Sequence, residues 1–209
     1  VRLDVERSLS PLLAVGWYLV RPDERMAALA FLLRQLLDGD GGVDESQAGD
    51  LCPPPTSRRR TRGDAPPARA DGNGGGSGGG NASVVVFAAT HHRVDQILAV
   101  VANARLLPPA APAVAVHGQM DQAARTAAIG AFRRRASRLL VVTDVAARGL
   151  DLPHLDAVVH ADYPPAPKLF VHRSGRVARA GRPGVCHALV TPTELPYVLD
   201  TCLFLSRPP

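Results

Sequence analysis

With 209 residues, 46% of them hydrophobic, and a formal net charge of +5, the chain has material for one buried core and a basic surface. Cys52, Cys186 and Cys202 are too few for a disulfide framework and too scattered for a paired-ligand zinc site, and no apolar run approaches a membrane span. Disulfide scaffolds, zinc fingers and integral membrane helices are thereby excluded, and a soluble intracellular domain with an anionic partner is expected.

Trp17-Tyr18-Leu19-Val20 reads as a first strand, and Arg21-Pro22-Asp23 opens a helix on which Met26, Ala30, Leu33 and Leu37 recur at helical spacing. Residues 38–83 then hold 12 of the 19 glycines, no aromatic residue, and only Val43 and Leu51 as sizeable aliphatics. Such a stretch cannot bury enough surface to offset its ordering entropy, so a disordered Gly/Pro/Arg-rich insertion is expected inside one domain spanning 1–207. Doubling a surface loop costs only about 0.6 kcal/mol, which makes the insertion tolerable. Arg58 to Arg62 within it reads as a solvated charge run, with nuclear import as the alternative.

Beyond it, Ser83 to Ala89 is a continuous apolar strand, and a helix from His91 to Leu106 carries Val94, Leu98 and Val101 on one face. A strand over Ala113 to Val116, a helix from Asp121 to about Arg135, and strands over Arg138 to Val142 and Ala157 to His160 follow. A helix over Lys168 to Ala180 and a strand over Val185 to Val190 complete the pattern. Strands apolar on both faces, alternating with helices, imply an α/β fold with a parallel sheet covered on both sides. Ligands of such sheets gather at the carboxyl ends of strands, where Thr90, His117-Gly118 and Thr143-Asp144 fall.

Charge and motif coincide. Residues 84–209 hold fourteen Lys and Arg against eight Asp and Glu, and Lys168 is the sole lysine of the chain. On the expected helix, His172, Arg176 and Arg179 stand at i, i+4 and i+7 and share a face, with Arg173 about a quarter-turn away. A guanidinium keeps its proton and offers a planar fork of donors, which suits the spread charge of a phosphoryl group; the plain alternative is a solvated basic helix. Gly118 lets a phosphate approach the backbone, and Gln122 and Arg125 lie one helical turn on, where they could equally cap and pair on a helix surface. Asp144, at a strand end, suits backbone amides, and His154, His160, His187 and Trp17 read as ordinary core or surface residues.

Taken in order, Val85-Val86-Phe87-Ala88-Ala89-Thr90, His117-Gly118 with Gln122-x-x-Arg125, Thr143-Asp144 through Arg148-Gly149-Leu150-Asp151, and His172-Arg173-x-Gly175-Arg176-x-x-Arg179 resemble the second RecA-like domain of DEAD-box ATP-dependent RNA helicases. The resemblance runs from Val1-Arg2-Leu3-Asp4-Val5 to about Arg207, apart from the insertion. Thr90-His91-His92-Arg93-Val94, Arg176 to Gly181 and Leu195-Pro196-Tyr197 look most like the nucleolar helicases of large-ribosomal-subunit assembly.

The resemblance implies a RecA-like parallel sheet in which Arg176 and Arg179, beside His172, serve the γ-phosphate of ATP, and Gly149 and Asp151 meet its ribose and phosphates. It places Gly118, Gln122, Arg125 and Thr143 on RNA sugar and phosphate. The phosphate-cradling lysine loop and the acidic tetrad that holds Mg2+ do not occur in these residues, so a missing N-terminal RecA-like domain is expected to supply them and this fragment to be inactive alone. RNA and pre-ribosomal particles are the implied partners, and the nucleus and nucleolus the implied location. The commoner family spelling has Thr and Gly where Val177 and Ala178 stand; on a helix, Ala178 would gain up to about 1 kcal/mol over glycine. Competing readings are one half of a DNA-directed superfamily 2 helicase and a non-catalytic RNA-binding or scaffolding domain. A nucleotide-dependent dehydrogenase or methyltransferase is weaker, since no G-x-G-x-x-G follows a strand.

Overall fold

The computed structural model describes residues 9–38, 82–150, 152 and 155–205. The leading segment Val1 to Val5, residues 39–81 of the insertion with Cys52, Asp151 and His154 lie outside the described residues. Six strands, β1 (Leu13–Leu19), β2 (Val84–Ala88), β3 (Val114–Val116), β4 (Leu139–Thr143), β5 (Ala157–His160) and β6 (Gly184–Val190), form one sheet in the order β1-β6-β5-β2-β4-β3. Every pairing is parallel. This is the RecA-like arrangement. The helices are α1 (Arg25–Asp38), α2 (His91–Asn103), α3 (Gln122–Arg133), α4 (Asp144–Ala147), α5 (Pro167–Ser174) and α6 (Leu195–Phe204).

A parallel sheet needs apolar cover on both faces, and β2 shows how the pleat distributes it. Val84, Val86 and Ala88 pack with Leu29, Leu33 and Leu37 of α1 and Val94, Ile97 and Val101 of α2. Val85 and Phe87 point the other way, into a cluster with Phe132 of α3, Phe170 of α5 and Val198 of α6. The helices start where short polar side chains satisfy their first amides. Thr90 accepts from the Arg93 amide at 3.2 Å, and Asp121 from the Ala124 amide at 2.6 Å. Cys186 and Cys202 are free and buried, and among the described residues no helix is long and apolar enough to cross a membrane.

Two outcomes differ from the sequence-based expectation. Neither α4 nor α6 is legible in the apolar spacing. More consequentially, α5 stops at Ser174 instead of running to Ala180, so His172, Arg176 and Arg179 do not share a helix face. Gly175 closes the helix, and a Cβ there would stand 2.9 Å from the Val171 carbonyl oxygen. The chain then turns inward, burying Val177 in a parallel bridge with Leu155. Ala178 and Ala180 take φ of +55° and +53°, and Gly181 takes +75°. Burial of Val177 outweighs continuation of the helix, because the extended bridge brings its side chain to the core.

Ala178 is therefore left-handed, and replacing the family's glycine with alanine costs stability here where a helical position would have gained it. Its main chain also backs onto β6, since a Cβ on Gly184 would lie 2.7 Å from the Ala178 nitrogen. Ala178→Gly is expected to raise unfolding free energy by about 1 kcal/mol in urea denaturation, the relief of a left-handed alanine exceeding the added freedom of the unfolded chain. A loss of similar size would show that the position is not left-handed.

Candidate functional site

The carboxyl ends of the strands are fixed by buried guanidiniums. Arg173, on α5 and 2% exposed, donates Nε and Nη2 to the two carboxylate oxygens of Asp144, each at 2.6 Å. Its Nη1 donates to the Asp162 carbonyl at 2.9 Å and lies 3.3 Å from His160 Nδ1, and the guanidinium sits over the Phe87 ring at 5.2 Å. One side chain thus ties α5 to the ends of β2, β4 and β5. Asp144, ambiguous from sequence between a site role and satisfying backbone amides, accepts this fork.

A second buried cluster lies alongside. Arg25, at the start of α1, donates to Asp162 Oδ1 at 2.6 Å, to Glu194 Oε2 at 2.5 Å and to Thr191 Oγ1 at 3.1 Å. Arg93 of α2 approaches Asp162 Oδ1 at 3.3 Å, and Asp162 Oδ2 accepts the Ala89 amide at 3.0 Å. Thr191 and Glu194 form a capping box around the 3-10 turn Pro192–Glu194 that leads into α6. These residues were not singled out from sequence. Thr191-Pro192-Thr193-Glu194 was a readable signal for the turn, since a threonine followed three residues on by glutamate marks a reciprocal cap.

Beyond Arg173 the remaining arginines are differently placed. Arg176 is half-buried and donates Nη1 to the Leu150 carbonyl at 3.2 Å; Arg179 is exposed and donates Nε to the Gly175 carbonyl at 2.5 Å. Partial burial, and then the Arg179 charge, lower the proton affinity of Arg176. Among the described residues neither has a carboxylate partner within ion-pair distance, in contrast to Arg25 and Arg173. His172 is exposed in the last turn of α5. Gly149 follows α4 with φ +70°, and the space where its Cβ would stand is open. Arg148 is exposed, and Asp151 lies outside the described residues.

The other arm of the rim follows β3 and β4. Gly118 lies just beyond β3, and a Cβ there would meet nothing within 4 Å, so its own fold does not require a glycine. Gln122 is exposed on the first residue of α3, and one turn on Arg125 donates Nη2 to the Ala146 carbonyl at 3.0 Å. That bond ties α3 to α4 and holds the half-buried Arg125 at the rim. Thr143 ends β4 opposite Ala88, is 8% exposed, and gives α4 no side-chain cap. Three imidazoles stand beside Gly118: the His91 and His92 ring centroids are 3.9 Å apart, and His117 lies 6.2 Å from His91. No group of three or more His, Cys, Asp or Glu among the described residues is arranged to hold a metal ion.

Residues 78–181 match the family described as helicase conserved C-terminal domain. The chain is similar to DEAD-box ATP-dependent RNA helicase 29 of Oryza sativa subsp. indica, 36% identical over 208 residues that cover 100% of this chain and 19% of that protein. It is also similar to ATP-dependent RNA helicase dbp10 of Emericella nidulans, 40% identical over 208 residues, 99% of this chain and 22% of that protein. The chain spans about a fifth of the length of these curated relatives. The solved structure of S. cerevisiae Dbp5 bound to RNA and ADP BeF3 shares the fold, with a TM-score of 0.67 at 18% identity over 95% of this chain and 40% of that one.

Two histidines in the sheet give the fold a pH dependence. Burial pulls His160 well below its ordinary range, helped by the Arg173 charge, and burial alone pulls His187 from 6.5 to about 4. Both are neutral when folded and take up a proton when unfolded below about pH 6.5, so stability is full above that pH and is lost as pH falls toward 4. For His187 the slope approaches about 1.4 kcal/mol per pH unit inside that window. Denaturant titrations between pH 7 and 5 should show His187→Asn losing stability less steeply than the parent by that amount; parallel slopes would place the proton elsewhere.

Proposed function

This chain belongs to the DEAD-box RNA helicases as their second RecA-like domain, and on that premise we propose that it couples ATP binding and hydrolysis to RNA binding and remodelling. The observation that carries the reading is the contrast among its arginines. Arg25 and Arg173 are buried and matched to carboxylates, whereas Arg176 and Arg179, three residues apart in the turn after α5, bond only to carbonyl oxygens and have no carboxylate among the described residues. Two cations of one short segment with no carboxylate among the described residues favour a multivalent anion.

ATP supplies the phosphoryl group whose spreading charge such forks would meet. Arg176 and Arg179 would hold it from this side, with Gly149 and Asp151 toward ribose and phosphates; the open space over Gly149 is consistent with close approach. His172 would stand next to them as the third residue of that group. Mg2+ is assigned to the acidic residues of a first RecA-like domain, and no residue here is given a role toward it. RNA would lie along the other arm, on Gly118, Gln122, Arg125 and Thr143, gripped through sugar and phosphate. Gly118 supports this, because nothing in its own surroundings excludes a side chain.

We further read the chain as one RecA-like unit over 1–207 interrupted by the 38–83 insertion, supported by β1, which precedes that stretch, pairing with β6, which follows it. The similarity to DBP10-type relatives and the Thr90-His91-His92-Arg93-Val94 segment favour work on pre-ribosomal particles in the nucleolus.

In the natural full-length chain, Arg179→Ala is expected to lower ATP turnover by about 10³-fold or more, the scale of a supplied arginine. RNA affinity with a non-hydrolysable ATP analogue should stay within about twofold, since the residue is assigned to the phosphoryl group and not to RNA. Arg179→Lys should recover little, because an ammonium lacks the fork. Steady-state ATPase activity within about threefold of the parent would rule out the role.

A further inference from the structure

The residues assigned to RNA so far, Gly118, Gln122, Arg125 and Thr143, offer backbone and polar groups and no ring to stack on a base. The imidazole cluster beside them has different chemistry. His91 and His92 are the first two residues of α2, following the Thr90 cap, and their rings meet at 3.9 Å between centroids with planes tilted by 39°. His91 is half-buried, with His92 against it and the His117 ring 6.2 Å away, while His92 is exposed. His117 adjoins Gly118 and keeps a buried Nδ1 with no hydrogen-bond partner. Phe87, Phe132 and Phe170 are 2% exposed or less, so at this part of the rim an unstacked base would meet imidazole and no other ring among them. Arg93, the next residue, is already engaged by Asp162 and Gln96, which removes the nearest guanidinium as a phosphate ligand.

We propose that the His91–His92 ring pair is a stacking platform for one RNA base, which gives this domain a base contact beside its backbone contacts. The inference rests on the RNA reading of the rim. Histidine is one of the rings on which splayed bases stack, and stacking tolerates any base because every base has a π-face. The His91 and His92 rings are already in contact without RNA, with His117 beside His91. Gly118, with open space at its Cβ position, lets the backbone carrying that base pass close to His117.

The test uses the natural full-length chain with a non-hydrolysable ATP analogue and single-stranded RNA bearing 2-aminopurine at successive positions. Arg125→Ala serves as the internal reference. His92 is exposed at a helix start, so its substitutions should leave the fold intact, which circular dichroism checks. His92→Ala should weaken RNA about fivefold or more and abolish 2-aminopurine quenching at one position, while His92→Phe should keep both near the parent. Equal losses in His92→Ala and His92→Phe would mean that a ring nitrogen and not a ring face makes the contact, and the platform would be wrong. Unchanged affinity in His92→Ala with a clear loss in Arg125→Ala would overturn the platform and leave the RNA rim standing. No loss in either variant would overturn both.

Discussion

One buried guanidinium sets the geometry on which the rest of the rim depends. Arg173 would be ruinous in a core without partners, because desolvating a charge costs several kcal/mol that only well-aligned acceptors offset. Here each arm has one: a two-pronged fork to Asp144, the Asp162 carbonyl, and the His160 ring nitrogen. His160 can accept only if its Nδ1 is bare, which fits its depressed proton affinity and leaves Nε2 toward the Ser174 hydroxyl at 3.4 Å. Arg173 is the penultimate residue of α5, two before Gly175, so the position of the Arg176 and Arg179 segment follows from how Arg173 is anchored. Asp162 then joins this cluster to the one built on Arg25 and Arg93. The starts of α1 and α2, the ends of β2, β4 and β5, and α5 are therefore mounted on one connected polar framework.

Much of the architecture was legible because a doubly covered parallel sheet writes itself as apolar runs. Val84–Ala88, Leu139–Thr143 and Ala157–His160 are such runs, and the spacing of Leu29, Leu33 and Leu37 on α1 fits the helical period. What failed was the end of α5. Local preference alone carries a helix through Val177-Ala178-Arg179, and the opposing term, burial of Val177 against Leu155, is a tertiary contact with no periodic trace. The arginines show the same limit. Arg173, Arg176 and Arg179 are alike in sequence, yet one is a core strut, one is half-buried and one exposed, a difference decided by a carboxylate, Asp144, on another element.

The two glycines of the rim separate along the same line. Gly149 answers to its own backbone, since φ +70° penalises any side chain. Gly118 has ordinary backbone geometry and open space, so its lack of a side chain is unexplained from within and is readily explained by something that approaches from outside.

Pairing of the first strand with the last has a consequence for biosynthesis. β1 hydrogen-bonds to β6, Leu13 opposite Gly184, and β6 is the strand beside which it lies at the sheet edge. At ribosomal elongation of about 5–20 residues per second, β1 waits on the order of ten seconds for its neighbour to emerge. During that interval β1 has no strand to pair with, and the unpaired strand invites mispairing with other nascent chains. A chaperone that shields the leading stretch until translation passes Val190 would act where this topology is most vulnerable.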